Sequence, residues 1–312
     1  MVSIRDRIER MKASLLGNLS KEDCKLVRHD SADVTDILKN GIGDKKYRIA
    51  TSGYSFDQEG YSDITTKFLK ELDAKLGRKN TGYVTTPAVA DGSIYDITTQ
   101  VSGLGADNVA YFTTDRYWES TDFDGFNKNI NARQYMKTPI HVFPDTETYT
   151  EATANASNVL VCTGGRKVAV TEIVEALKRK SKVMLIINPN LQNEGYSKEQ
   201  GRVDNAAEYF MDYMLSCRKD LPQAEQLDLD FLTKNPGRTL HLLRVYYVQN
   251  EEDAKSAAFR ASRFLQDKTP YDYWPNKSDE IDKQVGSVIS KIDKERTMEH
   301  FMKTGEMKSL YR

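Results

Sequence analysis

The chain predicts an α/β fold: a mainly parallel sheet held between two layers of helices, with helical extensions at its N- and C-terminal ends. Three observations predict it. Short apolar segments alternate with amphipathic helical patterns from Tyr47 to Ile187. The segment Val183-Met184-Leu185-Ile186-Ile187 is apolar throughout, as a strand buried on both faces must be. At 312 residues and 39% hydrophobic content, the chain is long enough for one large domain with appendages. Residues 1–44 are read as the N-terminal extension, 45–268 as the main domain and 269–312 as a helical C-terminal tail.

Taken in order, Ile4, Ile8, Met11 and Leu15 recur at helical spacing, and Gly17-Asn18 ends that helix. A second, polar helix is expected over much of Lys21–Lys39, stopping at Asn40-Gly41. Tyr47–Ser52 reads as the first strand. A helix over Asp63–Leu76 follows, with Ile64, Phe68, Leu69, Leu72 and Leu76 on one face. Tyr83–Thr86 is a strand, Ile94–Leu104 a helix, Val109–Thr113 and Pro139–Phe143 strands, and Thr146–Ser157 an alanine-rich helix. Asn158–Thr163 is a strand and Val168–Lys180 a helix, with Val170, Ile173, Val174 and Leu177 at i, i+3, i+4 and i+7. Strand–helix–strand units of this kind connect by right-handed crossovers.

Two polar stretches interrupt the alternation: Thr113–Thr138, rich in aromatics, and Asn188–Gln200. Loops of that length commonly carry function. Beyond them come a helix at Asp204–Cys217, an apolar run at Leu240–Val248, a helix at Glu251–Phe264 and a last amphipathic helix marked by Ile281, Val285, Val288, Ile289 and Ile292.

Composition excludes several classes. Lys and Arg number 45 against 46 Asp and Glu, so no whole-chain charge draws in nucleic acid or an anionic membrane, and neither is expected as a partner. Cys24, Cys162 and Cys217 are odd in number and far apart. They form neither a disulfide framework nor a zinc site, which fits a reducing, cytoplasmic setting. The charged opening residues lack the apolar run of a signal peptide, and no window is apolar enough to span a bilayer. The four histidines have no metal-ligand spacing, there is no Walker A pattern, and Gly41-Ile42-Gly43 precedes a strand instead of following one. No metal and no bound cofactor are expected.

In an open parallel sheet, ligands bind beyond the carboxyl ends of the strands, where strand order reverses. The residues there are Ser52-Gly53-Tyr54-Ser55, Thr85-Thr86-Pro87, Thr113-Thr114-Asp115 and Thr163-Gly164-Gly165-Arg166-Lys167, the last the sharpest. Two glycines let backbone approach a ligand closely. A helix start offers unpaired N–H groups to an anion, and Arg166 and Lys167 add positive charge. A phosphate suits such a place, although Gly-Gly after a strand is also an ordinary turn. Glu172 lies in the helix that follows. It either complements the helix dipole or stands beside the ribose of a nucleotide, as a carboxylate serving N-glycosidic chemistry. Tyr117, Trp118 and their aromatic neighbours either stack a base or pack a lid onto the sheet.

The block Ala156–Pro189 resembles a motif of the SLOG superfamily of Rossmann-like nucleotide-binding proteins. In the Lonely Guy phosphoribohydrolases of that group, a strand leads into Pro-Gly-Gly-x-Gly-Thr-x-x-Glu, a helix and an apolar strand. Ser52-Gly53 resembles the first phosphate loop, and the Ile94–Leu104 helix, Gly103, Gly105 and the Val109 strand resemble the middle of the fold. The Glu172 helix is also similar to a block of the nucleoside deoxyribosyltransferases. Lys167 and Val168 stand where the hydrolase motif has glycine and threonine, Glu172 falls one residue late, and Thr148 lies near the place of a family arginine. The resemblance implies a Rossmann-like three-layer sandwich that takes a small nucleotide ligand, with Glu172 as the working carboxylate in cleavage or transfer of an N-glycosidic bond. The alternative is a non-catalytic nucleotide sensor or interaction protein with a vestigial pocket. Apolar stripes in the terminal helices permit a homo-oligomer without requiring one.

Overall fold

The structure, a computed structural model, describes residues 23–53, 61–87, 108–120, 138–163, 167–187 and 242–267. The predicted helices at Ile4–Leu15, Ile94–Leu104, Asp204–Cys217 and Ile281–Ile292 lie outside them, as does the polar stretch Asn188–Gln200.

The described residues build an eight-stranded sheet. Its strands are β1 (Leu26–Arg28), β2 (Tyr47–Ser52), β3 (Thr81–Thr85), β4 (Val109–Thr114), β5 (Ile140–Phe143), β6 (Val159–Cys162), β7 (Lys182–Ile187) and β8 (Leu243–Tyr247). Every neighbouring pair is parallel, and the order across the sheet is β1-β5-β4-β3-β2-β6-β7-β8. From β2 the chain works outward through β3, β4 and β5 on one side. It then returns to the middle at β6 and works outward through β7 and β8 on the other. Strand order therefore reverses between β2 and β6, which pair with Ile49 opposite Val159 and Ser52 opposite Cys162.

Six α-helices accompany the sheet among the described residues: α1 (Thr35–Lys39), α2 (Tyr61–Leu76), α3 (Asp115–Ser120), α4 (Thr146–Ala156), α5 (Lys167–Lys178) and α6 (Glu251–Leu265). Strand side chains alternate between faces, and two separate cores result. Ala50, Val84, Phe112, Phe143, Leu160 and Leu185 pack under α1, α4 and α5, where Ile37, Ala152, Ala156, Ile173 and Leu177 close the layer. Ile49, Tyr83, Tyr111, Val161, Met184 and Ile186 pack on the other face, under Phe68, Leu69 and Leu72 of α2 and Ala254, Ala257, Ala258 and Ala261 of α6. A helical layer lies on each side of one parallel sheet, so the fold is a Rossmann-like three-layer α/β sandwich.

Local sequence explains where the helices begin and end. Asp145 caps α4, accepting from the Thr148 N–H at 2.7 Å, and Asn250 caps α6, accepting from the Asp253 N–H at 2.9 Å. Leu76 ends α2, and Gly77 takes φ +83°, a left-handed turn that glycine adopts without strain. Phe68, Leu69 and Leu72 are fully buried, each contributing roughly 1.5–3 kcal/mol by removal from water.

Two expectations are corrected. The single helix over Lys21–Lys39 does not form. Leu26–Arg28 is instead a strand on the edge of the sheet, tied by the Ile140 N–H to the Lys25 carbonyl at 2.9 Å and the His29 N–H to the Val142 carbonyl at 3.0 Å. Asp33 turns the chain by accepting from the Thr35 N–H at 2.9 Å, and only Thr35–Lys39 is helical, stopping at Asn40. Residues 1–44 therefore supply a strand to the main sheet. The second correction is in the expected loop after β4, which opens directly into α3. Trp118 of that helix is 2% exposed and belongs to the core beneath it, so this ring packs onto the sheet.

Candidate functional site

The strand reversal puts the carboxyl ends of β2 and β6 side by side. Thr163 fixes their junction: its N–H donates to the Ser52 carbonyl at 3.0 Å and its hydroxyl donates to the same oxygen at 3.3 Å. Ser52, the last residue of β2, is buried, and Gly53 follows it at the edge of the described chain. By alternation from Ala50, Ser52 faces the α4–α5 layer.

Glu172, in the second turn of α5, reaches this strand end from above. The residue is 5% exposed, and the hydroxyls of Ser52 and Tyr149 act on its carboxyl. Burial pushes the Glu172 carboxyl from its ordinary 4.5 up to about 7, against the opposing pull of those two hydroxyls. The group therefore exchanges its proton near neutrality, the range that suits general acid or base work.

Tyr149 comes from α4, packed beside α5 on the same face. Its hydroxyl lies 3.0 Å from Thr86 Oγ1, just past the end of β3. Burial first, and then the charge of Glu172, raises the phenol far above its usual value, so it stays a neutral donor. Ser52, Tyr149 and Thr86 thus gather hydroxyls about the buried Glu172 at the ends of β2 and β3, the Tyr149–Thr86 hydrogen bond tying α4 to the end of β3. Sequence reasoning named three of the four and missed Tyr149. The signal that could have found it is its place in α4, next to Thr148, where the resemblance put a family arginine.

The other residues predicted for the site divide as follows. Thr85 is buried and lies on the opposite face, accepting from the Thr51 hydroxyl at 3.0 Å. Thr113, at the end of β4, is buried with a hydroxyl that has no hydrogen-bond partner. Gly164, Gly165 and Arg166 lie outside the described residues. Lys167 begins α5, and nothing is described of its side chain. Cys162, opposite Ser52, is a free, fully buried thiol, in keeping with a structural role.

Among the described residues, burial and the hydroxyls of Ser52 and Tyr149 are what shift Glu172. The arrangement is an acid among hydroxyls, able to accept or donate a proton and to hydrogen-bond a polar ligand. Among the described residues no group of three or more His, Cys, Asp or Glu could hold a metal ion, and no helix is long and apolar enough to cross a membrane. No protein-family model matches the chain, and a search of curated proteins finds no match.

Proposed function

We propose that this chain binds a nucleotide or nucleotide-derived small molecule at the carboxyl ends of β2, β3 and β6, and that Glu172 serves cleavage or transfer of its N-glycosidic bond. The observation that carries the reading is a buried carboxyl, raised toward neutrality by that burial, at the point where the order of a parallel sheet reverses. That is where doubly wound sheets take their ligands. The resemblance of Ala156–Pro189 to the SLOG block supports the same reading, with Gly164, Gly165, Arg166 and Lys167 holding a phosphate and Ser52, Gly53, Thr85 and Thr86 lining the neighbouring strand ends. In this role Glu172 either attacks the anomeric carbon or stabilises the positive charge that develops on the sugar ring.

A second reading is supported by one specific observation: Glu172 is buried, with the hydroxyls of Ser52 and Tyr149 acting on it from within the fold. A carboxyl so held serves equally well in a non-catalytic nucleotide sensor. One experiment decides between the two. The protein is incubated with a panel of nucleoside monophosphates, deoxynucleosides and dinucleotides, and thermal stability and free base are measured together. The catalytic reading expects base release from one member. Glu172→Gln then abolishes that release while the thermal shift persists. Stabilisation without release in the unaltered protein supports the sensor. No thermal shift and no release across the whole panel overturns both.

A further inference from the structure

We propose that the sheet face under α2 and α6 carries a second binding site, a notch at the strand ends lined by Thr51, Thr85, Thr113 and Thr163 that takes a neutral polyhydroxylated ring of sugar size. It lies on the face away from Glu172 and goes beyond the nucleotide reading. Three observations carry it. Side-chain alternation puts the four threonines on one face, because Ile49, Tyr83, Tyr111 and Val161, each two residues earlier, all belong to the core under α2 and α6. All four are buried, with Thr113 only 1% exposed. The Thr113 hydroxyl, so buried, has no hydrogen-bond partner.

The register of the sheet gives the notch its shape. Ala50 pairs with Val84, so Thr51 and Thr85 stand level, and the Thr51 hydroxyl donates to Thr85 Oγ1 at 3.0 Å. Thr51 pairs with Val161 and Thr85 with Tyr111. Thr163 and Thr113 therefore stand two residues further along their strands, about 6.6 Å beyond the central pair. The Thr163 N–H to the Ser52 carbonyl continues the ladder between β2 and β6 and holds that wall in line. The strand order β4-β3-β2-β6 sets the two walls three strand spacings apart, about 14 Å. That is wide enough for one sugar ring with a hydrogen bond at each edge. Gly53, two residues after Thr51, brings no side chain above the floor.

The hydroxyls set the chemistry of the ligand. A hydroxyl donates once and accepts through two lone pairs. Thr163 donates to the Ser52 carbonyl at 3.3 Å and Thr51 donates to Thr85, so both keep lone pairs that accept. Thr113 can donate and accept. Alcohol groups, which do both in turn, match this set, whereas an ionised phosphate has no proton for the accepting walls. A buried hydroxyl without a partner lowers stability, and a ligand alcohol bonded to Thr113 removes that cost.

The test adds D-ribose to the full chain and follows thermal unfolding and the methyl NMR of labelled threonines, assigned by single valine replacements. Ribose moves the resonances of Thr51, Thr85, Thr113 and Thr163. It leaves Thr81, bonded to Asp73 at the opposite end of β3, in place. Thr113→Val keeps the shape of the side chain and removes the unpaired hydroxyl. The melting temperature without ribose then rises by about 2 °C, and ribose binds about tenfold more weakly. Thr113→Ser binds ribose as the parent does. A lower melting temperature in Thr113→Val, or unchanged ribose binding, shows that the hydroxyl serves the fold, and either overturns the proposal. If Thr113→Val does not fold, the methyl map of the unaltered chain decides: no movement of the four threonines in ribose up to about 100 mM overturns it. Ribose binding with this pattern, beside a nucleotide panel without effect, rejects the nucleotide reading and leaves the notch standing. A working panel with no ribose response rejects the notch alone.

Discussion

Glu172 makes the site and the stability of the fold parts of one account. Its carboxyl is lifted from 4.5 to about 7 chiefly by burial. Below the lower value it is protonated in both the folded and unfolded chain, and burial costs no charge. As pH rises through the upper value, the folded state must hold an ion that the unfolded state keeps in water. The stability present at low pH is lost across that window, by up to roughly 3 kcal/mol. Glu172→Gln is neutral at every pH and escapes the loss. Thermal unfolding of the two proteins should show the glutamine variant the more stable at about pH 8, with the gap closing as pH falls toward 4. A gap independent of pH would mean that the carboxyl stays in contact with water. The same residue also shows what a sequence conveys about a site. Glu172 was legible because it follows a Gly-Gly strand end. Its protonation behaviour was not, because burial and the hydroxyls of Ser52 and Tyr149 come from segments far away in the chain. Tyr149 was invisible for the same reason: in an alanine-rich helix it reads as one more packing aromatic, and its partners Thr86 and Glu172 meet it only in the folded sheet.

At the scale of elements, the helices and strands with a clean apolar period were legible almost to the residue. Val170, Ile173, Val174 and Leu177 gave α5, and the unbroken apolar run gave β7. The short edge strand β1 was not, because three residues carry no period and owe their form to β5 beside them. What seals that edge is a pair of imidazoles. His29 Nε2 and His141 Nδ1 lie 2.9 Å apart, His29 stacks on Phe143, and Phe112 meets His141 edge-on. The surrounding charges are Lys25, Asp30, and the ion pair of Arg28 with Asp115 at 3.2 Å. Burial, then His29 and Lys25, holds His141 down to about 4, and burial lowers His29 despite Asp30. Both rings are neutral at pH 7, one donating N–H to the other. A depressed histidine adds stability above its unfolded value of 6.5, and that stability is lost as pH falls toward 4. Replacing His141 with Phe keeps a ring in the stack and removes the titration. Its melting temperature should fall less steeply than that of the parent between about pH 6.5 and 4. Parallel acid limbs in the two proteins would show that this pair does not set acid stability.

For the molecule as a whole, the sheet order places the candidate site where the fold is most firmly held. β2 has β3 on one side and β6 on the other, with a helical core above and below, and Ile49 and Ala50 are fully buried. Among the described residues, β1 has three residues, one neighbouring strand and only partial cover. The alternation of strands and helices foretold a parallel sheet. It did not foretell the order β1-β5-β4-β3-β2-β6-β7-β8, since pairings such as Leu26 with Ile140 and Ile49 with Val159 join segments far apart in the chain and follow from no local pattern. That order implies a gradient of stability across the sheet. Opening β1 breaks one ladder and exposes little apolar surface, whereas opening β2 breaks two ladders and both cores, which amounts to unfolding the domain. Amide hydrogen exchange reads this directly. The amides of Ile49, Ala50 and Thr51 should exchange only by global unfolding, with protection that falls linearly with denaturant along the global slope. Those of Val27 and Arg28 should exchange through a local opening that is nearly insensitive to denaturant, and faster once the His29–His141 pair is charged in acid. Equal protection and equal denaturant slopes in β1 and β2 would make the sheet a single cooperative unit from edge to centre. The N-terminal strand could not then act as a separable flap, and any influence of residues 1–44 on the site would have to pass through unfolding of the whole.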